Sequence, residues 1–205
     1  MEGVKQMKLV FLGDSITDSN RNFTPDNLGE GYVRLLAERF PQHQLINRGH
    51  DGFTVQQVLR TLEDDCLCRS FDLATLLVGI NDVPVQLCAN SARIPGEFAS
   101  FYETILQKIR RISQAPLILA EPFVFDRPAS LLAWRPLLRE ESQIIRRLAS
   151  SYGCYFLPLQ SVLDGACHRW GTDALTDDGI HLTPLGCRLL ADAWERLAAP
   201  LLFPG

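Results

Sequence analysis

The sequence has no apolar run approaching the roughly eighteen residues that a membrane-spanning helix requires, and its longest candidates, such as Leu73 to Ile80, have the length of a buried strand. A membrane span is thereby excluded from the expectations. Met1 to Gln6 carries one lysine and one glutamate and leads into a stretch interrupted by Asp14, without the apolar core and small-residue cleavage site of a secretory leader. A cytoplasmic location is expected on that ground, and the sequon at Asn22-Phe23-Thr24 is read as a chance match. An excess of positive charge is missing as well: 20 Lys and Arg stand against 24 Asp and Glu, for a formal net charge of -4. Nucleic acid is not an expected partner, because nothing here neutralises a phosphate backbone. The six cysteines lack a paired metal or redox spacing, Cys66-Leu67-Cys68 being one residue short of it, so they are read as reduced thiols. No metal and no cofactor is expected.

Three motif families are also absent. The first turn has no Gly-x-Gly-x-x-Gly, no Gly-x-x-x-x-Gly-Lys-Ser/Thr occurs anywhere, and no Gly-x-Ser-x-Gly surrounds Ser15. Dinucleotide binding, P-loop chemistry and the α/β-hydrolase elbow lose their usual signatures. Histidine is scarce, only His43, His50, His168 and His181, which keeps the list of candidate bases short.

What is present is a chain of 205 residues, 46% hydrophobic and 21% charged, enough for one sizeable core and read as a single domain over 1–205. Lys8 to Leu12 is a short apolar run closed by Gly13, a buried strand by its pattern. Gln44 to Ile46, Leu73 to Val78, Leu117 to Ala120 and Tyr155 to Leu157 supply four more, most of them closed by glycine or proline. Helical periodicity lies between them, at Gly29 to Phe40, Val55 to Leu62, Phe98 to Ile112, Leu131 to Ser150, and from Pro184 to Leu197. This alternation predicts an α/β fold: a three-layer, doubly wound, flavodoxin-like sheet of about five parallel strands with helices on both faces.

In such a sheet the ligand crevice lies at the carboxyl ends of the strands, and the polar clusters of this chain fall there: Gly13-Asp14-Ser15, Asn47 to Gly52 and Gly79-Ile80-Asn81-Asp82. A fourth cluster, Asp177 to His181, precedes the last helix. Acyl transfer needs a hydroxyl nucleophile, a base, an orienter for the base, and donors aimed at the developing oxyanion. Ser15 on its turn supplies the hydroxyl. Of the four histidines only His181 has an acid three residues earlier in a tight loop, so His181 is the candidate base and Asp178 its orienter. The backbone N–H groups of Ser15 and Gly52 and the Asn81 side-chain amide are the candidate oxyanion donors. Any one cluster alone would pass as a capping or turn motif; the four together do not.

Those four segments resemble, in order and across nearly the whole chain, the blocks of the SGNH or GDSL hydrolases: Gly13-Asp14-Ser15-Ile16-Thr17, Asn47-Arg48-Gly49-His50-Asp51-Gly52, Gly79-Ile80-Asn81-Asp82 and Asp178-Gly179-Ile180-His181. Gly31-Tyr32-Val33 and Gly52-Phe53-Thr54-Val55 look like the bacterial branch that includes acetyl xylan esterases. The resemblance implies a serine esterase acting on a small-molecule ester, with short acyl groups and an acetylated sugar as the first substrate class. A lysophospholipase or thioesterase of the same family is the alternative, and a non-catalytic carbohydrate- or nucleotide-binding domain a remote one. Relatives in the sugar-deacetylating branch assemble, which leaves a homo-oligomer open. One departure stands out: His50 and Asp51 occupy places where the second block often has a small or apolar residue and a serine.

The remaining candidates divide by surroundings. Trp170, in the loop before the Asp178 segment, and His50 are the candidate substrate contacts. His43, flanked by two glutamines, is expected to face solvent, and His168 to lie on the surface or rim. Trp194, at helical spacing from Leu190 and Leu197, is expected in the core. Asp14 and Asp82 are read as scaffold.

Overall fold

In the computed structural model, which describes residues 5–88 and 95–203, the strand-forming runs assemble into one parallel sheet. Its strands are β1 (Lys8–Gly13), β2 (Gln44–Gly49), β3 (Leu73–Leu77), β4 (Leu117–Ala120) and β5 (Tyr155–Leu157), in the order β2-β1-β3-β4-β5. This is the flavodoxin-like order, with its switch point between β1 and β3.

Strand alternation sorts the apolar residues onto two faces. On one, Leu9, Phe11, Leu73, Leu77, Ile118 and Ala120 meet α2 (Tyr32–Arg39), α7 (Leu159–Trp170) and α8 (Pro184–Leu202). On the other, Val10, Leu12, Ala74, Leu76, Leu117 and Leu119 meet α3 (Val55–Leu62), α5 (Pro95–Ile112) and α6 (Arg135–Ser151). Because both faces are covered, β1, β3 and β4 read as continuous apolar runs rather than as alternating ones. Trp194 is fully buried as expected, packed against Phe11, and its indole N–H donates to Thr75 Oγ1 at 2.9 Å. That bond lets a β3 hydroxyl sit in the core without an unmet partner.

The structure corrects several expectations. A helix, α4 (Asp82–Cys88), and α7 were not foreseen from periodicity, and α1 (Ser15–Asp18) is a single turn. The helix expected over Leu131 to Ser150 is split, with a 3-10 segment at Ala129–Trp134 before α6, since Pro136 fits a first helical turn better than an interior. α8 runs past Leu197 to Leu202, holding Pro200 in its last turn. His43 does not face solvent: it is buried, accepts the Met7 N–H through Nδ1 at 3.3 Å, and lies beside Phe40.

Close approach at the carboxyl end of β2 fixes how α1 sits. A Cβ at Gly49 would overlap the Asp18 amide nitrogen, so only glycine lets α1 rest on β2. Asn47 secures the same contact, its side-chain amide donating to the carbonyls of Thr17 at 2.6 Å and Leu28 at 2.9 Å.

Candidate active site

Ser15 is the first residue of α1, directly beyond β1 at the switch point. Asp14 caps that turn by accepting the Ile16 N–H at 3.1 Å. It is fully buried beneath the serine, and burial pushes its carboxyl up to about 7 from an ordinary 3.8; the Ile16 bond opposes this and the nearby Asp82 charge adds to it.

Ser15 Oγ lies 3.0 Å from His181 Nε2, and His181 Nδ1 lies 2.6 Å from Asp178 Oδ2. The loop carrying both is drawn tight by Asp178 Oδ1, which accepts the backbone N–H of Ile180 and of His181, each at 2.8 Å. Partial burial works against an Asp178 charge, but the His181 hydrogen bond and those two N–H groups outweigh it, holding the carboxyl below its ordinary value. An ionised carboxylate only accepts, so Nδ1 carries the imidazole proton, Nε2 presents its lone pair, and the Ser15 hydroxyl donates to it. Residues 163 positions apart in sequence thus form one directional chain.

Gly52 stands on the turn after β2 with φ at +71°, a left-handed conformation that suits glycine. The Ser15 N–H, in the first turn of α1, has no intrahelical acceptor. Asn81, at the end of the β3 loop, donates through Nδ2 to the Phe53 carbonyl at 3.1 Å, while Asp82 accepts the Val55 N–H at 3.0 Å and ties that loop to α3. The oxyanion candidates therefore sit on three strand ends braced against one another.

Beside the serine opens a cavity of about 570 Å³. Ser15, His181, His50, Asp51, Phe53 and Phe23 line it, together with Ile16, Leu182, Cys187 and polar residues of the Asp18 to Asn22 segment. His50, a candidate substrate contact, is among these lining residues. Trp170 is not among the lining residues: it lies at the end of α7, two-fifths exposed, with the Arg169 guanidinium 4.6 Å over its ring. His168 is exposed.

The environment of His50 was not legible in sequence. Its Nε2 lies 2.8 Å from Asp65 Oδ2, its Nδ1 3.3 Å from Arg21 Nη2, and its ring stacks on Phe53 at 4.4 Å. A guanidinium only donates, so Nδ1 accepts and the proton sits on Nε2, given to Asp65. Arg21 is itself buried, donating through Nε to the Gly49 carbonyl at 2.5 Å and pairing with Asp18 at 3.2 Å. No motif marks this set: Asp65 lies fifteen residues beyond His50, on a π-turn at Glu63–Leu67, and a buried arginine in a polar loop looks like any surface arginine.

Among the described residues no group of three or more His, Cys, Asp or Glu side chains is arranged to hold a metal ion, and no helix is long and apolar enough to cross a membrane. All six cysteines are free thiols.

The GDSL-like Lipase/Acylhydrolase family model matches residues 11–189, from within β1 to the second turn of α8, and so includes Ser15, Gly52, Asn81, Asp178 and His181. The chain belongs to this family. It is a carboxylic ester hydrolase. It is 27% identical over 205 residues to an acetylxylan esterase of Geobacillus stearothermophilus, with 92% of each chain covered. Among solved structures it resembles a candidate GDSL-like lipase of Parabacteroides merdae (TM-score 0.88, 26% identity, 95% of this chain and 96% of that one). It also resembles LAE5, an alpha/beta hydrolase enzyme from the metagenome of Lake Arreo (TM-score 0.83, 27% identity, 95% and 96%). The Geobacillus acetylxylan esterase Axe2 shares the fold at a TM-score of 0.83 and 22% identity, over 96% of this chain and 95% of that one.

Proposed function

We propose that this hydrolase is a serine esterase that removes short acyl groups, acetyl above all, from carbohydrate esters, with Ser15 as nucleophile, His181 as general base and acid, and Asp178 as orienter. The observation that carries the reading is the hydrogen-bond chain from Asp178 through His181 to Ser15, opening into a cavity lined by polar and apolar groups alike.

Ser15 Oγ attacks the ester carbonyl carbon as its proton passes to His181 Nε2, and Asp178 stabilises the imidazolium so formed. The carbonyl oxygen becomes an oxyanion, met by the N–H groups of Ser15 and Gly52 and the Asn81 amide. Collapse re-forms the carbonyl and breaks the bond to the alcohol oxygen, which leaves with the proton from His181. Water then attacks the acyl-serine by the same route, releasing the carboxylic acid and restoring Ser15. Ile16 and Leu182 lie by the serine, and in the wider cavity the rings of Phe23 and Phe53 alternate with Ser19, Asn20, Asn22 and Asp51, a mixed lining that suits an alcohol with both hydroxyls and C–H faces better than a fatty acyl tail. Axe2 is an acetylxylan esterase known through catalytic mutants at one serine, one histidine and one aspartate, the same three residue types. The chain acts as one domain in the cytoplasm without metal or cofactor.

A fluorophosphonate should label Ser15 alone, and acetyl, butyryl and octanoyl esters of one chromogenic alcohol should show kcat/KM falling with length. Each accommodated methylene adds about 0.8 kcal/mol of burial to a pocket built for long chains, so an octanoyl optimum would move the assignment to a lysophospholipase or thioesterase. Labelling elsewhere would remove the mechanism.

A further inference from the structure

Phe23 is 88% exposed, the most exposed large apolar side chain among the described residues, and it borders the catalytic cavity. A phenylalanine gains nothing from full contact with water, and one on a pliant loop would fold back against the surface. The backbone that carries this one is fixed. Phe23 ends the 3-10 turn Arg21–Phe23, its N–H donating to the Asn20 carbonyl at 2.9 Å, and the next residue, Thr24, is bonded to the Arg21 carbonyl through both N–H and hydroxyl. Beneath them the buried Arg21 side chain bolts the turn to the Gly49 carbonyl, to Asp18 and to His50 Nδ1.

Around that ring the cavity wall is mixed: Asn20, Asn22 and Asp51 are exposed polar neighbours, while the apolar lining residues Ile16, Phe53 and Leu182 are buried or half-buried, so no second fully exposed apolar side chain extends an apolar track from Phe23. A fatty or steroid alcohol would want a contiguous apolar surface, and an anionic headgroup would meet the Asp51 carboxylate. A neutral pyranose has the matching shape. One face presents C–H groups that pack on an aromatic ring, and its rim presents hydroxyls.

We infer that Phe23 is a preorganised stacking platform for the sugar ring on the alcohol side of the scissile ester, with Arg21 as the residue that positions it through the Gly49, Asp18 and His50 contacts. The inference rests on the sugar-ester reading of the site. Since the turn is fixed before substrate arrives, little ordering entropy is lost on binding, and the contact acts on KM more than on kcat.

The test compares wild type with Phe23→Ala, Phe23→Leu and Phe23→Trp on two acetates, an acetylated methyl xyloside and ethyl acetate. At an 88% exposed position none of these substitutions threatens the fold. For Phe23→Ala, kcat/KM on the xyloside should fall about five- to tenfold further than on ethyl acetate, through KM. Trp should restore it and Leu, apolar but without a flat face, should not. Equal losses on both esters, no loss on either, or full rescue by Leu would overturn the platform while leaving sugar esters as substrates. A wild-type enzyme that hydrolyses ethyl acetate but not the xyloside would overturn the sugar reading and the platform with it.

Discussion

Two histidine–aspartate pairs flank the same cavity, and they are nearly identical in length: His181 to Asp178 at 2.6 Å, His50 to Asp65 at 2.8 Å. They differ in what meets the imidazole's other nitrogen. At His181 it is the Ser15 hydroxyl, which gives up its proton in the proposed reaction; at His50 it is the Arg21 guanidinium, which cannot. The tautomers are accordingly reversed, with the proton on Nδ1 of His181 and on Nε2 of His50. A carboxylate beside a histidine is therefore not enough to make a base. The group on the far nitrogen decides whether the pair moves a proton or holds a wall.

Replacing each histidine with alanine breaks the comparison most sharply. His181→Ala should lower kcat by a factor on the order of 10⁴ or more, as loss of a serine hydrolase's base does. His50→Ala should lower kcat less than tenfold and show itself in KM, because it loosens Arg21 rather than removing a proton acceptor. Steady-state kinetics on ethyl acetate and an acetylated xyloside measure both, and comparable losses in kcat would mean that the two pairs share the chemistry.

The paired aspartates sharpen it further. Asp178→Asn should cost roughly 10²–10⁴ in kcat, since a neutral amide can turn an N–H toward Nδ1 and move the imidazole proton to Nε2, where the serine needs a lone pair. Asp65→Asn should cost little in kcat, because the amide oxygen still accepts the His50 Nε2–H. If Asp65→Asn matched Asp178→Asn, His50 would have to be carrying protons after all.

The sequence disclosed the first pair and hid the second for a physical reason. Asp178 and His181 share one tight loop, so their spacing alone places them together, and Ser15 follows a strand whose apolar run reveals its end. The strands β1, β3 and β4 were legible because burial on both faces makes them continuously apolar. His50 was noticed only as an unusual residue, since its partners come from the Arg21 turn and from the π-turn after α3, and no local pattern reports a contact made through the fold. Phe23 enters the sequence reading only as the middle of the chance sequon Asn22-Phe23-Thr24, where nothing marks its exposure. The glutamine neighbours of His43 point to solvent, whereas Phe40 and Phe203 from separate helix ends close over it. The polar cluster at the end of β3 reads as a turn and hides helix α4, and the Asp82 N–H does close a turn there by donating to the Gly79 carbonyl at 2.8 Å.

The smallest effect concerns a third carboxylate, Asp14, whose proton affinity moves opposite to that of Asp178. Buried beneath Ser15, Asp14 is raised to about 7, so between pH about 4 and 7 the folded chain binds a proton that the unfolded chain releases. Its contribution to stability therefore falls as pH rises through that window. Asp178, lowered below its ordinary value, contributes stability that is lost instead as pH falls through the acid range. A rise of about three pH units at about 1.4 kcal/mol each sets a ceiling of about 4 kcal/mol on the Asp14 term. Asp14→Asn removes the titration while its amide oxygen can still accept the Ile16 N–H that caps α1. Urea unfolding of wild type and variant at intervals from pH 4.5 to 7.5 should show the wild type losing on the order of 2 kcal/mol relative to Asp14→Asn across the range. Parallel pH profiles would mean that Asp14 is ionised throughout and that the Ser15 turn rests on a buried charge rather than on a protonated acid.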